Sequence, residues 1–200
     1  RRRTSRRIIQ DRRTRIRRLN KSMRLQGVLF SEAECDLLWN LQQDNEWITS
    51  NAYNPETNEV TPNIKHQLRT ECWIDINTPV DGTKTFKDII LSNVEWIKPD
   101  FDAGGTKLIK MKEGDFLHKH VDAGPTKTLE RRQYTMIIQL SHPDEYTGGD
   151  FYLGDYRLPK DKGFCCLFDG GTQYHEVKKI LSGERHSWIT WMPKESLTIF

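Results

Sequence analysis

The chain has 200 residues, with 31 Lys+Arg against 28 Asp+Glu, 36% hydrophobic and 10% aromatic residues, and four cysteines. That length suits one domain with a full core and is short for two. A mean hydropathy of −0.74, with no run near the ~18 apolar residues of a span, excludes a helical membrane protein, and the twenty Trp, Tyr and Phe residues argue against wholesale disorder.

The net charge of +3 conceals two unlike parts. Residues 1–24 carry twelve basic groups and one acid, Asp11, a charge of +11; the remaining 176 residues carry 19 basic and 27 acidic groups, a charge of −8. The sequence therefore divides into a polycationic arm (1–24) and a single acidic domain (25–200). The arm could form a helix with Ile8, Ile9, Ile16 and Leu19 near one side, but such a block of like charge tends to stay unfolded without an anionic partner. Nucleic acid or another acidic partner is the expected occupant.

After the arm, Val28-Leu29-Phe30 leads into Ser31-Glu32-Ala33-Glu34, a capping box opening a helix through Leu37, Leu38 and Leu41. Residues 51–68, rich in Asn with Pro55 and Pro62, read as a long loop. Phe86, Ile89, Ile90, Val94 and Ile97 recur at helical spacing and predict a second helix over Thr85 to Ile97. From Thr106 the period shortens to that of strands: Lys107 to Met111, Phe116 to Val121, Tyr134 to Leu140, Asp150 to Leu153, Phe164 to Phe168, Tyr174 to Lys178 and His186 to Met192. The expected fold is α+β, mainly β: a double-stranded β-helix, or jelly roll, with a core over about 105–193 and the N-terminal helices on one face.

Cys35, Cys72, Cys165 and Cys166 show no zinc-knuckle spacing and are too few for a disulfide scaffold, so free thiols in a reducing, cytoplasmic setting are expected. The charged N-terminus is not followed by the apolar stretch of a secretory signal. Cys165 and Cys166 should face opposite sides of a strand, as should Trp188 and Trp191.

Chemistry concentrates in His118-Lys119-His120-Val121-Asp122. On a strand His120 and Asp122 share a face and can reach one ion, whereas His118 on the same line reads as an exposed or supporting group. An HxD pair alone is weak evidence. His175, in Tyr174-His175-Glu176-Val177, supplies a third ligand, and two His with one carboxylate match the donor set of non-haem Fe(II) oxygenases. Ten residues on stands Arg185, leading into an otherwise apolar strand, where a buried cation needs an anion; a dicarboxylate could supply it. Arg131-Arg132 reads equally as a substrate-mouth pair or a solvated one, and His142 and His186 as ordinary turn and strand residues.

In order, Gly114-Asp115-Phe116, His120-Val121-Asp122, Ile138-Gln139-Leu140, Tyr146-Thr147-Gly148-Gly149-Asp150, His175-Glu176-Val177 and Gly183-Glu184-Arg185 resemble the 2-oxoglutarate and Fe(II)-dependent dioxygenases, in their prolyl/lysyl-hydroxylase-like branch. The resemblance implies that His120, Asp122 and His175 bind the metal and that Arg185, helped by Ser187, grips the distal carboxylate of 2-oxoglutarate. It puts Gln139 where relatives often carry a tyrosine, Met111 in another tyrosine position, and Trp191 in the pocket. It implies Fe(II), 2-oxoglutarate and O2, allows ascorbate, and points to hydroxylation of a peptide or protein side chain. Residues 51–68 and 123–133 are the expected lid. Oxidative demethylation of nucleic acid is a lesser alternative, because the second arginine of those enzymes falls at Trp191; a nucleic-acid-targeted binding module is another.

Overall fold

The computed structural model describes residues 23–41, 45–50, 52–54, 59–61, 67–80, 82–94 and 105–196. The arm's helix, the end of the second helix at Ile97 and much of the expected 51–68 loop lie outside those residues. In chain order the elements are β1 (Met23–Val28), α1 (Glu32–Asn40), β2 (Ile48–Thr49), β3 (Ala52–Asn54), β4 (Glu59–Thr61), β5 (Gln67–Leu68), β6 (Thr70–Trp73) and α2 (Phe86–Asn93). There follow β7 (Thr106–Lys112), β8 (Phe116–His120), α3 (Lys127–Glu130), β9 (Tyr134–Gln139), β10 (Tyr146–Gly148), β11 (Phe151–Leu153) and β12 (Tyr156–Arg157). The chain closes with β13 (Phe164–Phe168), β14 (His175–Val177) and β15 (Ile180–Met192).

Both longer helices start where the sequence says they should. The Ser31 hydroxyl accepts from Glu34 N at 3.3 Å while the Glu34 carboxylate accepts from Ser31 N at 2.8 Å. Thr85 and Asp88 repeat the exchange at the head of α2. Each helix buries one stripe, Cys35 and Leu38 from α1 and Phe86, Ile89 and Ile90 from α2. Full burial of each such Leu, Ile or Phe side chain contributes about 1.5–3 kcal/mol.

What those stripes cover is the larger of two antiparallel sheets, an eight-stranded one ordered β1-β13-β9-β15-β7-β6-β2 with β10 added to β15. Strand alternation splits its side chains between two cores. Cys165, Leu167, Met136, Ile138 and Trp188 meet the helices, while Cys166, Phe168, Ile109, Met111 and Trp191 turn inward. The inward set packs against Leu117, Phe151, Leu153 and Val177, which belong to a five-stranded sheet ordered β12-β11-β14-β8-β5. Two facing sheets with helices on the outer face of one form the expected jelly roll. The two cysteines and the two tryptophans part as the strand period requires, and all four cysteines are free and buried. Among the described residues no helix is long and apolar enough to cross a membrane.

Four regions depart from the sequence reading. The region taken as loop carries β5 and the β3–β4 hairpin. The segment 123–133 contains the short helix α3. The last strand begins six residues early, at Ile180, because Gly183 (φ +76°) does not break it: β10 approaches there so closely that a Cβ would lie 2.1 Å from the Glu145 carbonyl oxygen. β1 likewise draws Met23 and Arg24, the end of the charge-defined arm, into the sheet beside β13.

Candidate active site

Two strands of the smaller sheet bring the site together. β8 and β14 pair antiparallel with His120 directly opposite His175, so residues 55 apart in sequence present their rings 4.2 Å apart between centroids. Asp122 lies just beyond β8, where its N–H donates to the Gly170 carbonyl at 2.8 Å. Its carboxylate lies between the rings, Oδ1 3.5 Å from His120 Nε2 and Oδ2 3.4 Å from His175 Nε2. The three ligand atoms fall within 4.8 Å of one another.

The imidazoles are oriented from behind. His120 Nδ1 lies 2.8 Å from the His118 carbonyl and His175 Nδ1 3.1 Å from the Gln173 carbonyl. A carbonyl can only accept, so each neutral ring carries its proton on Nδ1 and keeps the Nε2 lone pair for a metal. Burial, with His175 adding to it, lowers the proton affinity of His120 despite the nearby Asp122 carboxylate. Burial opposes ionisation of Asp122, but the two histidines outweigh it and hold the carboxyl well below its usual range. A divalent cation needs neutral imidazoles and an ionised carboxylate, and the shifts of His120 and Asp122 both run in that direction. The donor set fits Fe(II): two nitrogens and one oxygen gathered at one point of a cleft.

Thr135, which the sequence reading passed over, donates its hydroxyl to Asp122 Oδ2 at 2.5 Å from inside β9. Replacing it with valine keeps the shape and removes that bond. Metal affinity measured by competition with a chelating dye should fall about 10–100-fold, the usual consequence of losing a partner behind a ligand; an unchanged affinity would refute that role for Thr135.

Arg185 lines the same cleft from β15 and is 5% exposed. Its Nη1 reaches Ser187 Oγ at 3.3 Å and Met111 Sδ at 3.9 Å, and among the described residues no carboxylate pairs with it. A buried guanidinium left with a hydroxyl and a thioether is the environment that a bidentate carboxylate would complete, so the residues present fit a dicarboxylate as well as a metal. Gln139 faces a neighbouring cavity on the other side of Arg185, with Tyr146 and Lys160, and its amide donates to the Tyr146 hydroxyl at 3.1 Å. Tyr146, part of a turn motif in the sequence, thus sets its phenol against the Gln139 amide in that neighbouring cavity. Trp191 shares the inward face of β15 but is not among the residues lining the cleft around the His–Asp–His group; its ring lies 3.9 Å beneath the Arg132 guanidinium. His118 is exposed, with its ring against Phe116, and His186 stacks on Trp39.

Comparison with known proteins agrees with this geometry. The sequence pattern of the 2OG-Fe(II) oxygenase superfamily matches residues 106–193, which span every ligand above. A PKHD-type hydroxylase of Shewanella frigidimarina is 29% identical over 82 residues, covering 36% of each protein, so the chain matches about a third of that relative's length. In fold the chain is similar to a prolyl-4-hydroxylase of Pseudomonas putida (TM-score 0.56, 16% identity, 84% of this chain and 91% of the other). It is similar also to a prolyl hydroxylase of Trichoplax adhaerens in complex with a hypoxia-inducible-factor peptide fragment (TM-score 0.58, 17% identity, 82% and 78%).

Proposed function

We propose that this chain, whose residues 106–193 match the 2OG-Fe(II) oxygenase superfamily, is an oxygenase of that kind and hydroxylates a prolyl, lysyl or similar side chain of a peptide or protein. One observation carries the reading: a buried arginine without an acidic partner among the described residues opens onto the cleft that holds a His–Asp–His group. His120, Asp122 and His175 would hold Fe(II), and Arg185 with Ser187 would hold the distal carboxylate of 2-oxoglutarate. The bound metal and cosubstrate, with O2, supply oxidation of a C–H bond coupled to conversion of 2-oxoglutarate to succinate. The chain itself orients: the His118 and Gln173 carbonyls fix the imidazole tautomers, Thr135 fixes Asp122, and the walls of Ile109, Leu117, Phe151 and Val177 restrict water.

The peptide or protein substrate rests on the kinship with prolyl hydroxylases, one of them seen with a peptide fragment. Nucleic-acid demethylation is less well supported, since Trp191 occupies the position of the second arginine and lies buried under Arg132. The arm of residues 1–24 is better read as an address toward an acidic partner, and the four free, buried cysteines favour a reducing, cytoplasmic setting. Aerobic incubation of a peptide library with Fe(II), ascorbate and 2-oxoglutarate tests the proposal: succinate formation with one oxygen atom added to one residue type is expected. Absence of both 2-oxoglutarate binding and turnover would overturn it.

A further inference from the structure

The cleft and its surroundings carry more positive charge than the mechanism uses. Arg69, in the single-residue link between β5 and β6, lines the cleft with the His–Asp–His group. Its Nε donates to Ser50 Oγ at 3.3 Å, and its Nη2 stands 3.9 Å from Glu71, beyond hydrogen-bond reach. Glu71 is engaged elsewhere, because its other oxygen takes the Lys107 ammonium. Burial works against both members of that pair. It brings the Lys107 ammonium down to about 8, while for Glu71 the attraction of Arg69 and Lys107 outweighs it and keeps the carboxyl below its usual range.

Arg132, ahead of β9, completes the group. Its guanidinium carbon stands 3.9 Å from the centre of the Trp191 ring, over which the Lys107 ammonium also sits at 5.6 Å, and among the described residues its covered Nε has no hydrogen-bond partner. Arg69, Lys107 and Arg132 thus share one described carboxylate, Glu71; Asp122 is committed to the two imidazoles and Thr135. A guanidinium held against an indole face is restrained, and its planar fork of donors suits a planar anion.

We propose that Arg132 and Arg69 form a second anion-binding subsite, separate from Arg185, that seats a carboxylate of the substrate close to the carbon to be hydroxylated. The inference rests on the peptide-hydroxylase reading above and narrows it to acidic targets. The carboxylate has two sources, an Asp or Glu side chain beside the target residue or the C-terminal carboxylate of a target at the chain end.

Four peptides distinguish them: a neighbouring Glu or Gln, each with a free or an amidated C-terminus. Binding is read anaerobically by calorimetry on the protein loaded with Fe(II) and 2-oxoglutarate. One carboxylate-bearing arm should bind about tenfold or more tightly than its neutral counterpart, the scale of one hydrogen bond to a charged group. Arg132→Gln and Arg69→Gln should each collapse that ratio toward one while leaving affinity for the neutral peptide within about twofold, and Arg132→Lys should retain part of it. Circular dichroism and the neutral-peptide affinity show that a variant is folded. Peptides that bind and are hydroxylated without regard to charge, or a ratio that survives both glutamine variants, overturn the subsite alone. Failure of every peptide to bind or react, or preference for an oligonucleotide, overturns the parent reading and the subsite with it.

Discussion

Replacing Asp122 with alanine is expected to reduce succinate production by at least about a thousandfold, ~4 kcal/mol of transition-state stabilisation, and Fe(II) affinity by more than the 10–100-fold typical of an outer partner. The carboxylate stands 3.5 Å and 3.4 Å from the two Nε2 atoms and is the only acidic member of the candidate ligand group. Without it two imidazoles remain, too few donors and no negative charge to offset the desolvation of a divalent cation. His120→Ala and His175→Ala should lose metal similarly. Asp122→Asn separates charge from shape, because its amide oxygen still accepts from Thr135; loss of metal in that variant, with the apo protein's melting transition retained, assigns the effect to charge. Chelator-competition titration reads all four proteins, and an Asp122→Ala affinity within about threefold of the parent would remove the metal site from the argument.

Much of this site is legible in one dimension because strand geometry is local. Asp122, spaced as a strand partner of His120, lies just beyond β8 and is held by the Gly170 carbonyl, whereas a period of two parts Trp188 from Trp191 and Cys165 from Cys166 with no tertiary knowledge. The same holds for the caps at Ser31 and Thr85, where donor and acceptor are three residues apart. What is hidden depends on chains meeting. Thr135 reaches Asp122 from β9 of the facing sheet, and Arg69 enters the cleft because the chain on either side of it is drawn into the two-residue β5 by β8 and the four-residue β6 by β7. Such short strands have no period of their own; their partners create them. Gly183 misleads in the opposite sense, since a residue that signals a turn serves here to admit β10. Tyr146 and Gln139 are each visible in the sequence, but only the fold sets the phenol against the amide.

Arg185→Met should trade function for stability, and the trade is measurable in one instrument. The guanidinium is buried with Ser187 and Met111 as its neighbours, so in the cosubstrate-free protein its desolvation is poorly offset. Replacing buried ionic groups with apolar side chains of similar volume ranges from neutral to about 1–4 kcal/mol stabilising even when the charges are paired, so an unpaired one should fall on the stabilising side, and in a domain of this size each kcal/mol raises Tm by about 2–4 °C. Truncating one partner of a buried charge pair costs about 2–5 kcal/mol of binding, so affinity for 2-oxoglutarate should fall by roughly thirtyfold to several thousandfold. The two effects oppose each other when cosubstrate is added. Ligand at 100 times Kd stabilises the parent by about 2.7 kcal/mol, and the variant gains almost nothing at the same concentration. Scanning calorimetry should therefore find the variant melting higher without 2-oxoglutarate and the parent closing or reversing the gap with it. A variant that melts lower in both states would show that Arg185 is held by interactions of the apo fold, and one whose Tm rises with 2-oxoglutarate as much as the parent's would place the distal carboxylate elsewhere.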